Sequence, residues 1–331
     1  MDESLGGDLT ARARAHSNIA LAKYWGKRDV AHNIPAVGSI SVTLEALHTD
    51  TTVTFDRALG EDELWLDDRQ QHAARVTAVL DLVRELAGVD SRARVTSANN
   101  FPTGAGLASS ASGFAALAVA ACAAAGVEVS AQELSMLARR GSASAARSIF
   151  GGYVELHAGV SPDGDDSFAE PLLTAGDWPL SVVIAITDPQ AKAVSSSAGM
   201  QATSASSPFY PAWVESSAGE LDRMRAAILA HELETVGELA EHSCLALHSL
   251  MLTTRPALIY WNAATVAAIH VVRGLRAGGL PVYFTIDAGP QVKALCRPAD
   301  APTVAAALGE VPGVCETRTS SLGPAARVTQ S

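Results

Sequence analysis

Residues 98–127 carry no charged side chain, and this stretch restricts the fold more than any other part of the chain. Its apolar part, 113–127, is dominated by alanine and is shorter than the ~20 residues a membrane span needs. It therefore reads as a helix buried on every side. A chain of 331 residues with 48% hydrophobic and 18% charged side chains can build that surrounding core. The length exceeds one comfortable core, which predicts two domains or one large α/β domain.

Just ahead of the helix lies Pro102-Thr-Gly-Ala-Gly-Leu-Ala-Ser-Ser-Ala-Ser-Gly113. Glycines let the backbone approach a ligand, and serines at a helix start leave N–H groups and the helix dipole facing an anion. The segment has neither the ending of a Walker A loop nor the spacing of a dinucleotide fingerprint. An ordinary small-residue helix start has the same composition. The strand expected before it and the long helix after it favour a phosphate site.

Charge narrows the partners. With 24 Lys+Arg against 35 Asp+Glu the formal net charge is −11, which excludes the broad basic face that nucleic acid demands. Small anions need only a local pocket. Lysine is scarce: Lys23, Lys27, Lys192 and Lys293 are the whole complement, and two of the four fall in Lys23-Tyr-Trp-Gly-Lys27. Cations interleaved with aromatics suit a partly desolvated anion pocket, although a solvated turn is the plain alternative. A third motif, Arg139-Arg-Gly-Ser-Ala-Ser-Ala-Ala-Arg147, offers hydroxyls and a guanidinium fork for carboxylate or phosphate, or simply joins two helices. The fourth is Asp287, at a strand end before Gly289-Pro290, where a lone aspartate is ordinarily a cap. Together they form a set for phosphoryl transfer: positioned donors, cations, and a carboxylate to accept a hydroxyl proton. Arg28, Arg139, Arg140 and Arg147 are expected to join the lysine window in one basic pocket.

Alternation and β-branching predict strands at 40–44, 51–55 and 94–98, and a continuous apolar run predicts a strand buried on both faces at 181–186. Helical spacing predicts 73–87 ending at Gly88, then 130–139 with a Ser130/Glu133 capping box, 217–240 interrupted near His231, and 263–277. A further strand at 282–286 leads into Asp287. The domain boundary is placed after the loop 161–166, dividing 1–180 from 181–331. Four scattered cysteines without a CxxC pair, nine histidines without HExxH, and an acidic, glycine-rich 1–8 predict a cytoplasmic protein without protein-ligated zinc or a leader.

The sequence closely resembles the diphosphomevalonate decarboxylases of the galactokinase, homoserine kinase, mevalonate kinase and phosphomevalonate kinase (GHMP) superfamily. The resemblance rests on Asn18-Ile-Ala-Leu-Ala-Lys-Tyr-Trp-Gly-Lys-Arg-Asp29, Ser39-Ile-Ser-Val-Thr-Leu44 and Asn99-Asn-Phe-Pro-Thr through Leu107-Ala-Ser-Ser110. It continues with Arg140-Gly-Ser-Ala-Ser through Phe150-Gly-Gly-Tyr153, Val194-Ser-Ser196 with Gly199-Met200, and Asp287-Ala-Gly-Pro290. These stretches span nearly the whole chain.

The resemblance implies an α+β, two-domain GHMP-kinase fold with the active site in the inter-domain cleft. It implies a homodimer that turns over a phosphorylated mevalonate with ATP and Mg²⁺, without nucleic acid or membrane. The implied reaction is ATP-dependent decarboxylation of (R)-5-diphosphomevalonate to isopentenyl diphosphate, by way of phosphorylation of the 3-hydroxyl. By the same resemblance Asp287 orients or deprotonates that hydroxyl, with Lys23 beside it and the γ-phosphate. Arg147 and Asn18 hold the substrate carboxylate, and Tyr24, Lys27, Ser142, Ser144 and Ser195 hold the 5-diphosphate. Gly104, Gly106, Ser109 and Ser110 wrap the ATP phosphates, with Ser110 toward Mg²⁺, and Asn99 and Asn100 border the adenosine. Two departures bear on the substrate: Ala143 stands where many members have glycine, and Ala193 where an acidic residue is common. They bring in a decarboxylase of 5-phosphomevalonate, giving isopentenyl phosphate, as the nearest alternative. A mevalonate 3-kinase that does not decarboxylate is a second.

Overall fold

The computed structural model describes residues 9–329; residues 1–8, read above as carrying no leader, lie outside the described residues. The chain opens with β1 (Thr10–Ala22), a ribbon of β2 (Lys27–Asp29) and β3 (Ile34–Pro35), and then β4 (Ser39–Asp56). β1 and β4 pair antiparallel along most of their length. The separate strands expected at 40–44 and 51–55 are therefore one strand. The strand continues between them because β1 pairs with both parts, His16 facing His48 and Asn18 facing Thr43, with residues 44–47 bulging between these pairs. Register shifts in β1 at His16/Asn18 and Ala20/Ala22 mark bulges, which re-aim side chains.

β5 (Glu63–Leu66), β6 (Arg69–Gln71), α1 (Ala74–Ala87) and β7 (Arg92–Asn99) follow. α1 ends at Gly88 with φ 64°, the left-handed C-cap expected there. α2 (Ser109–Ala124) is the alanine-rich helix, and its small side chains let it lie directly on β1 and β4. α3 (Ala131–Gly141) begins with the expected capping box: the Glu133 amide donates to Ser130 Oγ at 3.2 Å, and the Ser130 amide donates to Glu133 Oε2 at 2.7 Å. A 3₁₀ turn, Ala143–Ile149, then leads into β8 (Tyr153–Leu156) and β9 (Ala169–Leu173).

The remainder comprises β10 (Ser181–Ile186), α4 (Ser196–Ser206), α5 (Tyr210–Leu229), α6 (Leu233–Leu252) and α7 (Ala263–Ala277). After these come β11 (Val282–Thr285), β12 (Val292–Cys296), α8 (Ala301–Gly309), β13 (Glu316–Ser321) and β14 (Arg327–Thr329). The helix expected at 217–240 is two longer ones, α5 and α6, broken where His231 adopts φ 58°. β1, β12 and α4 were not anticipated, and neither were β2, β3, β5, β6, β8, β9, α8, β13 and β14.

Two sheets result. The larger has the order β14-β1-β4-β7-β5-β6, with β8 on β4 and β9 on β8; the smaller has the order β11-β12-β10-β13. β10 is buried along its whole length because it lies between two cores. Val182 and Ile184 share one with Ile19, Leu21, Ile40 and Val42 of the larger sheet. Val183 and Ala185 face the other way, against Ile269 of α7 and Val304 of α8. The smaller sheet thus rests on the larger, and residues that follow their strand ends meet between them. Cys122, Cys244, Cys296 and Cys315 are free thiols, and no described helix is long and apolar enough to cross a membrane.

Candidate active site

Asp287 leaves the end of β11 and meets lysines from two other elements. Lys23 Nζ, just after β1, donates to Oδ1 at 2.6 Å, and Lys293 Nζ, on β12, donates to Oδ2 at 3.2 Å. Burial pushes the carboxyl upward, but the two ammonium groups outweigh it and hold Asp287 well below the usual carboxylate range. Its side chain is still 22% exposed, so part of the carboxylate remains accessible. Lys192 completes the group, with Nζ donating to Ser196 Oγ at 2.7 Å and to the Ala288 carbonyl at 2.6 Å. Burial brings Lys192 down to about 8, Asp287 opposing the shift and Lys293 adding to it. Three of the four lysines therefore surround one acid. Sequence reasoning followed Lys23 and Lys27 and passed over Lys192 and Lys293, although lysine scarcity pointed to all four.

The glycine-serine loop lies against this centre. Gly104 and Gly106 have φ of 76° and 82°, in the left-handed region that favours glycine. A Cβ on Gly106 would stand 2.8 Å from the Gly289 Cα, so the loop and the segment after Asp287 touch backbone to backbone. Gln291 Nε2 donates to the Ala105 carbonyl at 3.0 Å and Lys293 Nζ to the Gly106 carbonyl at 3.0 Å, tying the two segments together. α2 begins without a side-chain cap, and Ser109 Oγ instead accepts from the Gly104 amide at 3.3 Å. No side chain caps the first turn, an arrangement that suits an anion.

Arg147, on the 3₁₀ turn, forms a second centre. It is 2% exposed. Nε donates to Ser41 Oγ at 2.8 Å, Nη1 to Ser39 Oγ, and Nη2 to Asn18 Oδ1 at 3.1 Å. All three partners are neutral, so the charge is oriented but not compensated. Burial alone lowers Arg147 to about 10. Asn18 gives its own N–H groups to the Ser144 carbonyl at 3.0 Å and to Ser148 Oγ at 2.7 Å, so its amide is spent on holding this turn.

Tyr24 lies with its ring 5.8 Å from the Arg147 guanidinium, and Ser144 is within reach of its hydroxyl. Ser110 Oγ is 3.4 Å from Ser142 Oγ, which is 3.2 Å from Ser144 Oγ; the row of hydroxyls links the α2 start to Arg147. Lys27 is half-buried, and burial and Arg75 both lower it. Arg75, another residue that sequence reasoning missed, reaches from α1 to the Gly141 carbonyl at 2.5 Å. It was read only as part of an amphipathic helix.

Several expected members lie apart from these centres. Arg28 reaches the Val160 and Ala158 carbonyls at 2.9 and 3.2 Å, and Arg139 the His32 and Gly164 carbonyls, both at 3.1 Å. Both guanidiniums brace backbone rather than line the proposed basic pocket. Asn99 binds Thr49 and Thr103, while Asn100 accepts from the His48 amide and donates to the Ala46 carbonyl. Ser195 caps α4, its Oγ accepting from the Ala198 amide at 3.3 Å.

The chain is similar to known proteins over most of its length. A family model described as the diphosphomevalonate decarboxylase-like N-terminal domain matches residues 15–169, and one described as the mevalonate 5-diphosphate decarboxylase C-terminal domain matches 182–325. A Schizosaccharomyces pombe protein named diphosphomevalonate decarboxylase is 38% identical over 294 residues, covering 82% of this chain and 75% of that one. A Haloferax volcanii protein named phosphomevalonate decarboxylase is 37% identical over 288 residues, covering 86% of this chain and 87% of that one. A solved structure described as MDDEF in complex with MVAPP, AMPPCP and magnesium matches with a TM-score of 0.90 at 39% identity, across 98% of this chain and 100% of that one. The α+β GHMP-kinase fold implied by the resemblance accords with that match. The chain belongs to the diphosphomevalonate decarboxylase family.

Proposed function

We propose that the chain is an ATP-dependent carboxy-lyase that converts (R)-5-diphosphomevalonate to isopentenyl diphosphate, releasing ADP, phosphate and carbon dioxide. The observation that carries this reading is Arg147: a guanidinium 2% exposed, held by neutral groups alone, requires an anion to complete its site. Three of its five N–H groups are spent, so two remain for a substrate carboxylate. Asn18 acts through Arg147 by fixing its orientation. Tyr24, Lys27, Ser142 and Ser144, with Ser195 at the rim, receive the 5-diphosphate, and Arg75 adds charge there.

Asp287 faces the tertiary 3-hydroxyl. Held ionised by two lysines, it is a strong acceptor but a weak base. It orients the hydroxyl and takes its proton only as the oxygen–phosphorus bond forms. Lys23 and Lys192 stand on the side of the transferring phosphate. Once phosphorylated, the 3-oxygen leaves with its bonding pair as phosphate. The carboxylate carbon departs as carbon dioxide, and its bonding pair becomes the new double bond. Cations belong on the carboxylate and phosphates, because positive charge beside C3 would oppose departure of the phosphate.

The residues at the loop fit ATP: Gly104 and Gly106 hold the left-handed turn packed against Ala191 and Gly289, Ser109 and Ser110 stand at the helix start, and Asn99 and Asn100 border the adenosine side. Among the described residues no group of three or more His, Cys, Asp or Glu side chains makes a metal cage. Mg²⁺ would therefore rest on phosphate oxygens with Ser110 as a protein oxygen, and would neutralise phosphate charge there. We further read 1–180 and 181–331 as the two domains, and the protein as a cytoplasmic homodimer; the resemblance and the four free thiols support this.

Ala143 and the Haloferax relative favour a second reading, a 5-phosphomevalonate substrate. One assay separates them: ATP with mevalonate, its 5-phosphate or its 5-diphosphate, with carbon dioxide and ADP measured separately. Equal release of both from the 5-diphosphate supports the proposal. Release from the 5-phosphate alone supports the alternative, and ADP without carbon dioxide from any of them identifies a 3-kinase.

A further inference from the structure

Asp287 is bound by one lysine on each oxygen, and the two lysines stand in different surroundings. Lys293 lies in the middle of β12, opposite Ile184 of β10 and Thr285 of β11. Its strand neighbours Val292 and Ala294 face the core under α7 and α8. Alternation turns Lys293 the other way, toward the phosphate loop, where its side chain is 0% exposed. A lysine there has no route to solvent. Its ammonium has two fixed partners, the Gly106 carbonyl at 3.0 Å and Asp287 Oδ2 at 3.2 Å. Lys23 belongs to an irregular segment after β1, and its ammonium bonds Asp287 Oδ1 alone among the described residues.

We propose that Lys293 is a positioning residue for phosphoryl transfer: it clamps one oxygen of Asp287 to the phosphate loop, which frees Lys23 to turn onto the transferring phosphate. The inference rests on the phosphoryl-transfer reading of Asp287. Were Lys23 the sole cation, its departure would leave a carboxylate stranded among buried groups, a strongly unfavourable arrangement. The other groups around Asp287 do not replace it. Lys192 is engaged with Ser196 and the Ala288 carbonyl, and Arg147 with Ser39, Ser41 and Asn18. Cys244, on α6, is pushed up to about 11 and His248, on the same helix, is pulled down to about 3, both chiefly by burial, so both are neutral. The Gly106 contact also couples the acid to the loop, so a shift of the loop moves the carboxylate.

The test is Lys293→Met, measured by kcat, both KM values and the pH dependence of kcat, with and without Asp287→Asn. The expected kcat loss is about 30-fold with each KM within about threefold. An acid limb should enter kcat at higher pH than in the parent enzyme, as the carboxylate loses a cation. In the Asp287→Asn background the same change should cost less than about threefold, because Lys293 acts through the acid. If Lys293→Met does not fold, Lys293→Gln keeps a donor for the Gly106 carbonyl without the charge, and the same outcomes are expected of it. A kcat within about threefold of the parent overturns the inference, as does an equal loss at every pH in both backgrounds, or a loss confined to the KM for ATP. If Asp287→Asn alone retains full turnover, the reading of Asp287 itself has failed; if it is inactive while Lys293→Met stays within about threefold of the parent, only the role of Lys293 has.

Discussion

Arg147 and Asp287 are both charged groups of the candidate site, yet the chain treats them oppositely. Arg147 is held by neutral oxygens from Ser39, Ser41 and Asn18, so its charge stays available. Asp287 receives a cation on each oxygen and is over-compensated. A charge oriented by neutral donors is a socket for an ion of opposite sign. A charge already paired twice is a poised group, whose ionisation is fixed while one partner remains free to move. On the function proposed above, the difference separates a binding residue from a reacting one.

That contrast can be broken at several points. The largest effect is expected from Asp287→Asn, which keeps the shape and removes the acceptor charge. Turnover should fall by about 10³-fold or more while a non-hydrolysable ATP analogue still binds; retention of more than about a tenth of turnover would sink the assignment. Next is Arg147→Lys. A lysine cannot aim separate donors at Ser41, Ser39 and Asn18 and still present a fork, so kcat/KM for the phosphorylated mevalonate should drop about 100-fold with the nucleotide affinity unchanged. Unchanged steady-state kinetics would refute the carboxylate role.

A smaller effect lies in pH. Lys192, brought down to about 8, is charged below that pH and loses its charge above it. In the free enzyme, affinity for the ATP analogue should therefore weaken a few-fold as pH rises through about 8, and Lys192→Met should abolish that dependence; calorimetric titrations from about pH 7 to 9 read it directly. The smallest change is Ser41→Ala, which removes one neutral holder of Arg147. It should cost about 1 kcal/mol of stability in denaturant melts and only a few-fold in kcat/KM, because two holders remain. A loss as large as that of Arg147→Lys would show that orientation, not charge, makes the socket.

Much of the site was legible where its parts are neighbours in sequence. The glycine torsions of the glycine-serine loop and the helix start after it were readable because they are local properties. The Ser130/Glu133 box and the Gly88 cap were readable for the same reason. Lys293 was not, since a lysine inside Val292-Lys-Ala-Leu-Cys296 reads as an interruption of an apolar strand until its partners are known. Arg75 was hidden on the polar side of α1, where charges ordinarily face solvent. Arg28 and Arg139 misled in the opposite direction: they are near the motifs in sequence, but backbone carbonyls claimed their guanidiniums. The join of 40–44 and 51–55 into β4 likewise depended on β1, a partner that no window within β4 contains.

The sequence alone determined the buried alanine helix, the glycine turn before it, the family, and the acid at the end of a strand, because each follows from torsions, periodicity or contiguous motifs. The tertiary structure decided which charges meet. Lys23 and Asp287 are 264 positions apart and Asn18 and Arg147 are 129 apart, yet both pairs touch. The stacking of two sheets put one acid between two lysines and left one arginine among neutral oxygens. Electrostatic energy depends on distance and burial, which the order of residues along the chain does not specify.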